Sequence, residues 1–485
     1  MYKFPDGQIT IHEFYTPFGK LDPKNRWAQV ADMIPWQTYE EKYAALFCPD
    51  NGAPAIPFRM AMGTLLIKQK TGHSDEETLL DIMENPYLQY LIGLHEFTTK
   101  PPFAASSITN FRKYITKEML KEVNDGLFKP KKPDDTDDNG PDNPSSGQDS
   151  RKEETKKITH KGILMQDATC TPADIAYPTD VNLLNESREK LEGIIDTLHP
   201  CTGSKLKPRT YRQKARQRYL AFIKNRKPQK KLIRKTIGQQ LRYVARNLRH
   251  IDKQLQTVGI EELSNRQRKW LPTIRELYRQ QKQMYDTKTH SVENRIVSIS
   301  QPHVRPIVRG KTNASVEFGA KVTVSLIDGY AHIEKLGWEA YNEESMLIPA
   351  IEEYKAKYGY YPEAVLVDKL YRNRTNRAYC KKHNIRISGP RLGRPAKETA
   401  QTVITQTRQD TSARNAIEGK FGEGKTCYGL DRIMAHLMNT SETVIAMAFL
   451  SMNISRRLRV LLCRCIKVLK FDLTRASVWD CWVFE

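Results

Sequence analysis

Long apolar runs are missing from these 485 residues. None approaches the roughly 18 consecutive apolar residues of a membrane-spanning helix. Met1 to Gln8 hold no basic start followed by an apolar stretch, so neither a secreted nor a membrane protein is expected. Eight cysteines (Cys48, Cys170, Cys201, Cys380, Cys427, Cys463, Cys465 and Cys481) are scattered without C-x-x-C pairs, which argues against a disulfide framework and reads as reduced cytosolic thiols. Cys463 and Cys465 lack a His or Cys at ligand spacing and are read as part of a buried C-terminal helix. The eleven histidines form no pair suited to zinc. Acidic charge is also short: 56 Asp and Glu face 78 Lys and Arg, and the balance of +22 points to a polyanionic partner.

Two absences are local. Residues 129–157 contain no aliphatic or aromatic side chain. Such a segment cannot bury enough surface to offset its ordering entropy, so a disordered linker is expected there, dividing an N-terminal unit (1–128) from the remainder. Residues 205–250 contain 17 Lys or Arg and no Asp or Glu. A merely solvated helix interleaves both signs, whereas a one-signed surface suits phosphate contact, and Arg212, Lys214, Arg216 and Arg218 are the candidates named for it.

What is present divides into helical and mixed regions. The chain exceeds the roughly 250–300 residues that one core serves, and two or three domains are expected. In the N-terminal unit an apolar stretch over 58–70 is broken by Gly72 and restarts at Ser74-Asp-Glu-Glu77, a capping-box pattern. A further amphipathic stretch covers 107–123. Two helices around a glycine turn permit a helix-turn-helix that contacts DNA, or a small bundle for self-association.

Beyond the linker, 163–166 is a short buried-type strand running into Asp167. Val322, Val324 and Leu326 alternate with polar residues ahead of an Asp328-Gly329 hairpin turn. A helix over 345–358, closed by Gly359, leads to a second buried strand, 364–367, that runs into Asp368. Strand, hairpin, helix and strand make an α/β pattern. Between these blocks Ile233, Ile237, Leu241, Val244, Leu248, Ile251 and Leu255 recur at helical spacing up to Gly259, and a second helix over 271–285 folds back on the first. The insertion is placed at about 183–294, the catalytic unit at 158–456 and a C-terminal tail at 457–485.

Three acids carry the candidate chemistry. If the two strands are adjacent and parallel, Asp167 and Asp368 share one sheet edge, and Glu418 from a covering helix completes a set of hard oxygen donors suited to two Mg²⁺ ions. In a continuous helix Arg414, four residues before Glu418, and Lys425, seven after it, lie on the same face. Gly419, Gly422 and Gly424 argue against continuity past Glu418. The bland readings are a strand-end turn for each Asp and a surface Arg–Glu pair.

Around these acids the sequence resembles bacterial insertion-sequence transposases with a DDE catalytic core on a ribonuclease-H-like fold. Their signature of Tyr, two residues, Arg, three residues, Glu, six residues and Lys falls on Thr411, Arg414, Glu418 and Lys425, with three of four positions matching. ILMQDAT around Asp167, VDKLYRNRTNRAY after Val367, RNAIEGKFGEGK, YGLDRIMA and the N-terminal helical unit also resemble the family. Thr411 stands where relatives have Tyr, Leu370 where they often have Gly, and FDLTRASVWDCWVFE matches no family pattern. The resemblance implies Asp167, Asp368 and Glu418 as catalytic residues holding two Mg²⁺ ions, with Mn²⁺ able to substitute. It also implies Arg414 and Lys425 at the DNA, partners in double-stranded DNA (terminal inverted repeats and target), a homo-oligomer on DNA, no membrane, and a cytoplasmic, nucleoid-associated location.

Two other readings are open at this point. Residues 419–426 fit the phosphate-loop pattern G-x-x-x-x-G-K-[ST], which suggests a nucleotide hydrolase, although no apolar strand precedes it. A catalytically inactive DNA-binding relative is the other.

Overall fold

The structure, a computed structural model, describes residues 1–4, 7–48, 51–52, 54–128, 159–308, 316–389 and 400–479, except for the side chains of 400–403 and 462–479. The expected linker at 129–157 lies outside these residues.

The N-terminal unit is helical: α1 (Arg26–Met33), α2 (Trp36–Ala44), α3 (Phe58–Thr71), α4 (Asp75–Glu84), α5 (Pro86–Leu91), α6 (Ser107–Tyr114) and α7 (Lys117–Leu127). Gly72 ends α3 in the left-handed conformation (φ +76°), and Ser74 Oγ accepts the Glu77 amide at 3.1 Å to start α4, as the sequence predicts. The single stretch expected over 107–123 is two helices. Ile115 turns to extended backbone, and Thr116 Oγ1 accepts the Met119 amide at 3.3 Å to open α7. The turn between α3 and α4 has helix-turn-helix form, yet α4 carries Asp75, Glu76, Glu77, Asp81 and Glu84 and no Lys or Arg.

The second unit is mixed α/β, the ribonuclease-H-like type expected. It runs β1 (Ile163–Pro172), α8 (Asp180–Cys201), α9 (Arg212–Ile223), α10 (Lys230–Val258), α11 (Asn265–Thr287), β2 (Arg305–Val308), β3 (Val316–Ile327) and β4 (Tyr330–Gly337). It continues with α12 (Leu347–Tyr358), β5 (Ala364–Val367), α13 (Arg374–Lys382), β6 (Arg386–Ile387), α14 (Ala400–Cys427) and α15 (Met438–Trp479). The sheet order is β2-β3-β1-β5-β6, with β4 also on β3. β1 is antiparallel to β3 and parallel to β5, which is parallel to β6. Asp328 and Gly329, both at positive φ, form the predicted hairpin turn.

Two apolar layers flank the sheet. Val322, Val324 and Leu326 face Ile417 of α14 with Phe449 and Met452 of α15. Leu164, Val365 and Val367 face Leu347 and Ile351 of α12 on the other side. The helical insertion after β1 has its own core, in which Leu184, Leu191 and Ile195 of α8 meet Leu241, Val244 and Ile251 of α10 and Ile274 and Leu277 of α11. The seam predicted on α10 is real, and Gly259 caps its end. The partner α8 was not anticipated.

The N-terminal unit is not a separate body. Its core around Trp36, Phe58, Met62 and Leu120 includes Ala446, Met447, Leu450 and Ile454 of α15. Asn453 of α15 donates to Asn124 Oδ1 of α7 at 2.8 Å and to Ala331 O of β4 at 2.7 Å, and accepts the Ala331 amide at 2.9 Å. One buried side chain thus stitches three elements, leaving none of its polar groups unpaired. α15 also runs unbroken across position 457, where a tail was expected to begin; Cys463 and Cys465 fall on it, with their side chains outside the described residues.

This shared core predicts that residues 1–128 and 159–485, co-expressed as two chains, co-purify. Leu450→Ala in the intact protein should lower unfolding stability in urea by about 2–5 kcal/mol, the cost of emptying a buried leucine site. Two chains that elute separately would contradict the shared core.

Candidate functional site

The parallel pairing of β1 with β5 runs Ile163↔Ala364 to Gln166↔Val367. The next residue on each strand is Asp167 and Asp368, so the register brings the two acids side by side where the strands part. Asp167 was expected to follow its strand. Instead it sits within β1, because β1 stays paired with the longer β3 as far as Pro172↔Gly319 after β5 has ended. Asp368 does end its strand, and its Oδ1 accepts the Lys369 amide at 2.7 Å to cap the 3₁₀ turn Lys369–Tyr371.

α14 crosses this face of the sheet, anchored by fully buried Ile417. It places Arg414 between two of the acids: Nη1 lies 3.0 Å from Asp368 Oδ1 and Nη2 3.3 Å from Glu418 Oε1. Glu418 is exposed, and Asp167 and Asp368 are half-buried. The Asp167 carboxyl is pushed up to about 6. Burial is the main cause; the Ala168 amide, which donates to its Oδ1 at 2.8 Å, and Arg414 oppose it, while the charges of Glu343 and Asp368 add to it. Glu343 was missed by sequence reasoning, because a Glu ahead of a helix has no distinguishing pattern.

α14 is helical without a break through Gly419, Gly422 and Gly424 to Cys427. The doubt about its continuity is therefore corrected, and Arg414, Glu418 and half-buried Lys425 share a face. Gly424 is there for packing, since a Cβ would come within 2.7 Å of Leu430 Cδ1 and 3.2 Å of Met452 Sδ. The same finding removes the phosphate-loop reading. Residues 419–426 are helix with their amides turned into helical hydrogen bonds, and Lys420 is paired with Glu423 at 2.9 Å.

The four basic residues proposed on α9 divide. Arg212 is held by Asp196 at 2.7 Å, and Arg218 donates to Tyr243 Oη at 3.0 Å, so both serve the insertion's own structure. Lys214 and Arg216 are exposed, with no hydrogen bond or ion pair among the described residues. Exposed Lys224, Arg226, Lys227, Lys230 and Lys231 follow them in the turn between α9 and α10 and at the start of α10.

A family profile described as "Transposase DDE domain" matches residues 365–455, which include Asp368, Arg414, Glu418 and Lys425. A second, "Transposase domain (DUF772)", matches residues 17–114 in the N-terminal helices. Both matches are to transposase families, and together they support an insertion-sequence DDE transposase. Asp167 lies outside both matches, and it is the β1–β5 register that brings it beside Asp368. An uncharacterised protein, ORF8 in the nfe locus of Rhizobium meliloti, is 32% identical to this chain over 103 residues, 21% of this chain and 49% of that protein. The chain thus spans about half the length of this curated relative. No solved structure matches it significantly.

Among the described residues no three His, Cys, Asp or Glu side chains stand close enough together to hold a metal ion. Arg414 lies in the gap between Asp368 and Glu418. Carboxylate oxygens are the hard donors that a divalent cation takes, and Arg414 is the positive charge that Asp368 and Glu418 attract in this structure. No described helix is long and apolar enough to cross a membrane.

Raising the folded-state value of Asp167 above its ordinary 3.8 means that the folded protein binds the proton more tightly. The stabilisation is fully present below the unfolded value and is lost as pH climbs through about 6. In cation-free buffer the melting temperature of Asp167→Asn should therefore rise relative to wild type between about pH 4 and pH 7. A difference that does not change with pH would contradict the assigned burial of this carboxyl.

Proposed function

We propose that this transposase cuts DNA at the ends of its own insertion element and joins the freed 3′-hydroxyls to target DNA. The observation that carries the proposal is the register placing Asp167 beside Asp368 beneath the Arg414 and Glu418 face of α14. Asp167, Asp368 and Glu418 are the residues to hold two Mg²⁺ ions, with Mn²⁺ able to replace them. When bound, such ions lower the pKa of an attacking water or DNA 3′-hydroxyl and stabilise the departing oxygen of an in-line phosphodiester displacement.

The chain's own residues bind and orient. Arg414 offers a planar guanidinium for bidentate phosphate contact once it leaves Asp368, and Lys425, on the same face, adds a point charge to the strand being cut. Lys214, Arg216 and the lysines and arginines between α9 and α10 hold the duplex backbone, with no part in sequence choice. Five acids and no base on α4 repel a duplex, so the N-terminal helices are assigned to assembly of a homo-oligomer on DNA. A location in the cytoplasm, at the nucleoid, follows from that partner. An inactive DNA-binding relative is the weaker reading, since the sequence carries all three acids together with Arg414 and Lys425.

Cleavage of a duplex carrying the element's terminal repeats tests the proposal. Asp167→Ala or Asp368→Ala should abolish Mg²⁺-dependent nicking, and Glu418→Gln should lower it by orders of magnitude, with duplex affinity little changed. Nicking at the wild-type rate in any of the three would sink the assignment. No nicking by the wild-type protein on its own element ends would favour the inactive reading.

Separately, Lys214→Glu with Arg216→Glu should weaken binding to every duplex alike and flatten the salt dependence by about one unit per lost phosphate contact. An unaltered salt slope would show these side chains to be solvated bystanders.

A further inference from the structure

Of the residues of α9 only Ala215 is buried. A helix without a buried face gains little from packing and depends on a partner for its stability. The cations of α9 suit phosphates, but phosphates cannot cover Leu220 and Ile223, which lie about one turn apart and are each 46% exposed. Arg216, Leu220 and Lys224 follow one another at four-residue steps, so the leucine stands between two positive charges on one face.

α4 presents the complement. Thr78 and Ile82 are buried on its inner side, and the opposite face carries Glu76, Leu80 and Glu84, again at four-residue steps. Leu80 is 49% exposed, and both glutamates are exposed. None of the four charged side chains makes an ion pair or hydrogen bond among the described residues. Each stripe runs along about 12 Å of helix, so the two can be laid together in either direction with carboxylate on cation and leucine on leucine. Pairing α9 with a second α9 would set like charges opposite one another, which this match avoids.

We propose that the Glu76–Leu80–Glu84 face of α4 in one copy docks on the Arg216–Leu220–Lys224 face of α9 in a second copy when no DNA is bound. Exposed ion pairs add little on their own; burial of the leucines supplies the attraction and the charges supply the orientation. The association is therefore weak and sensitive to salt. A duplex and α4 compete for Arg216, so the contact covers part of the phosphate-binding surface proposed above. No step of the proposed reaction enters this inference.

Sedimentation equilibrium of the full-length protein without DNA tests it. Wild type should self-associate in about 0.1 M salt and dissociate towards about 1 M, where screening is nearly complete. Glu76→Lys with Glu84→Lys, and separately Arg216→Glu with Lys224→Glu, should each be monomeric where wild type associates. Mixing the two variants in equal amounts should restore association, because each reversed face then meets its opposite in the other chain. Leu80→Ser and Leu220→Ser, which alter no charge, should each weaken association about tenfold, and they decide if a charge-reversed variant does not fold. Wild type that is monomeric in low salt, variants that associate like wild type, or a mixture of folded charge variants that stays monomeric would overturn the inference.

Discussion

The parallel register between β1 and β5 is the constraint on which the rest of the site depends. Ladder bonds end at Gln166↔Val367, and the two aspartates that follow are therefore neighbours. A one-residue slip would turn one of them to the α12 face, among Leu347 and Ile351, because side chains alternate along a strand. The apolar sets fix the register: Leu164, Val365 and Val367 belong to the α12 side, while Val322, Val324 and Leu326 belong to the side of α14 and α15. Burial of both layers thereby places two negative charges together, an arrangement the acids would not choose for themselves. The charge of Asp368 adds to the burial that raises the Asp167 carboxyl, and Arg414 is drawn in beside Asp368. Stability given up at a functional site and recovered in the surrounding core is a familiar pattern.

α15 is the second organising element. One face closes the sheet over Phe449 and Met452, and another enters the N-terminal core through Met447, Leu450 and Ile454. Gln69 of α3 donates to Tyr428 O at 2.7 Å, just past the end of α14, so the helical unit also touches the segment that follows the Glu418 helix. Movement of the N-terminal helices on assembly would therefore be felt at α14. The basic turn between α9 and α10, by contrast, sits on a bundle with its own core, as suits the duplex contact proposed for it.

Much of this was legible from local pattern. Short apolar runs marked β1 and β5, Asp328-Gly329 marked the hairpin, and apolar spacing up to Gly259 marked α10. The resemblance placed Arg414, Glu418 and Lys425 on what proves to be one helical face. What escaped notice depended on distant partners. β1 continues past Asp167 because β3, some 150 residues on, supplies its ladder. The glycines of 419–424 read as helix breakers, yet packing against Leu430 and Met452 requires one of them and overrides propensity. Arg212 and Arg218 looked free because Asp196 and Tyr243 are remote in sequence from the basic run. The N-terminal unit looked detachable because its core is completed by residues more than 300 positions later.

The central claim is that Asp167, Asp368 and Glu418 form one cation-holding centre from which Arg414 withdraws. Anomalous scattering from Mn²⁺, in crystals of the full chain bound to a duplex bearing its element's terminal repeat, tests it most directly. The account predicts density bridging Asp167 and Asp368 with Glu418 drawn in, and Arg414 turned from Asp368 to a phosphate. Density confined to other carboxylates, or Arg414 still paired with Asp368 beside bound DNA, would contradict it.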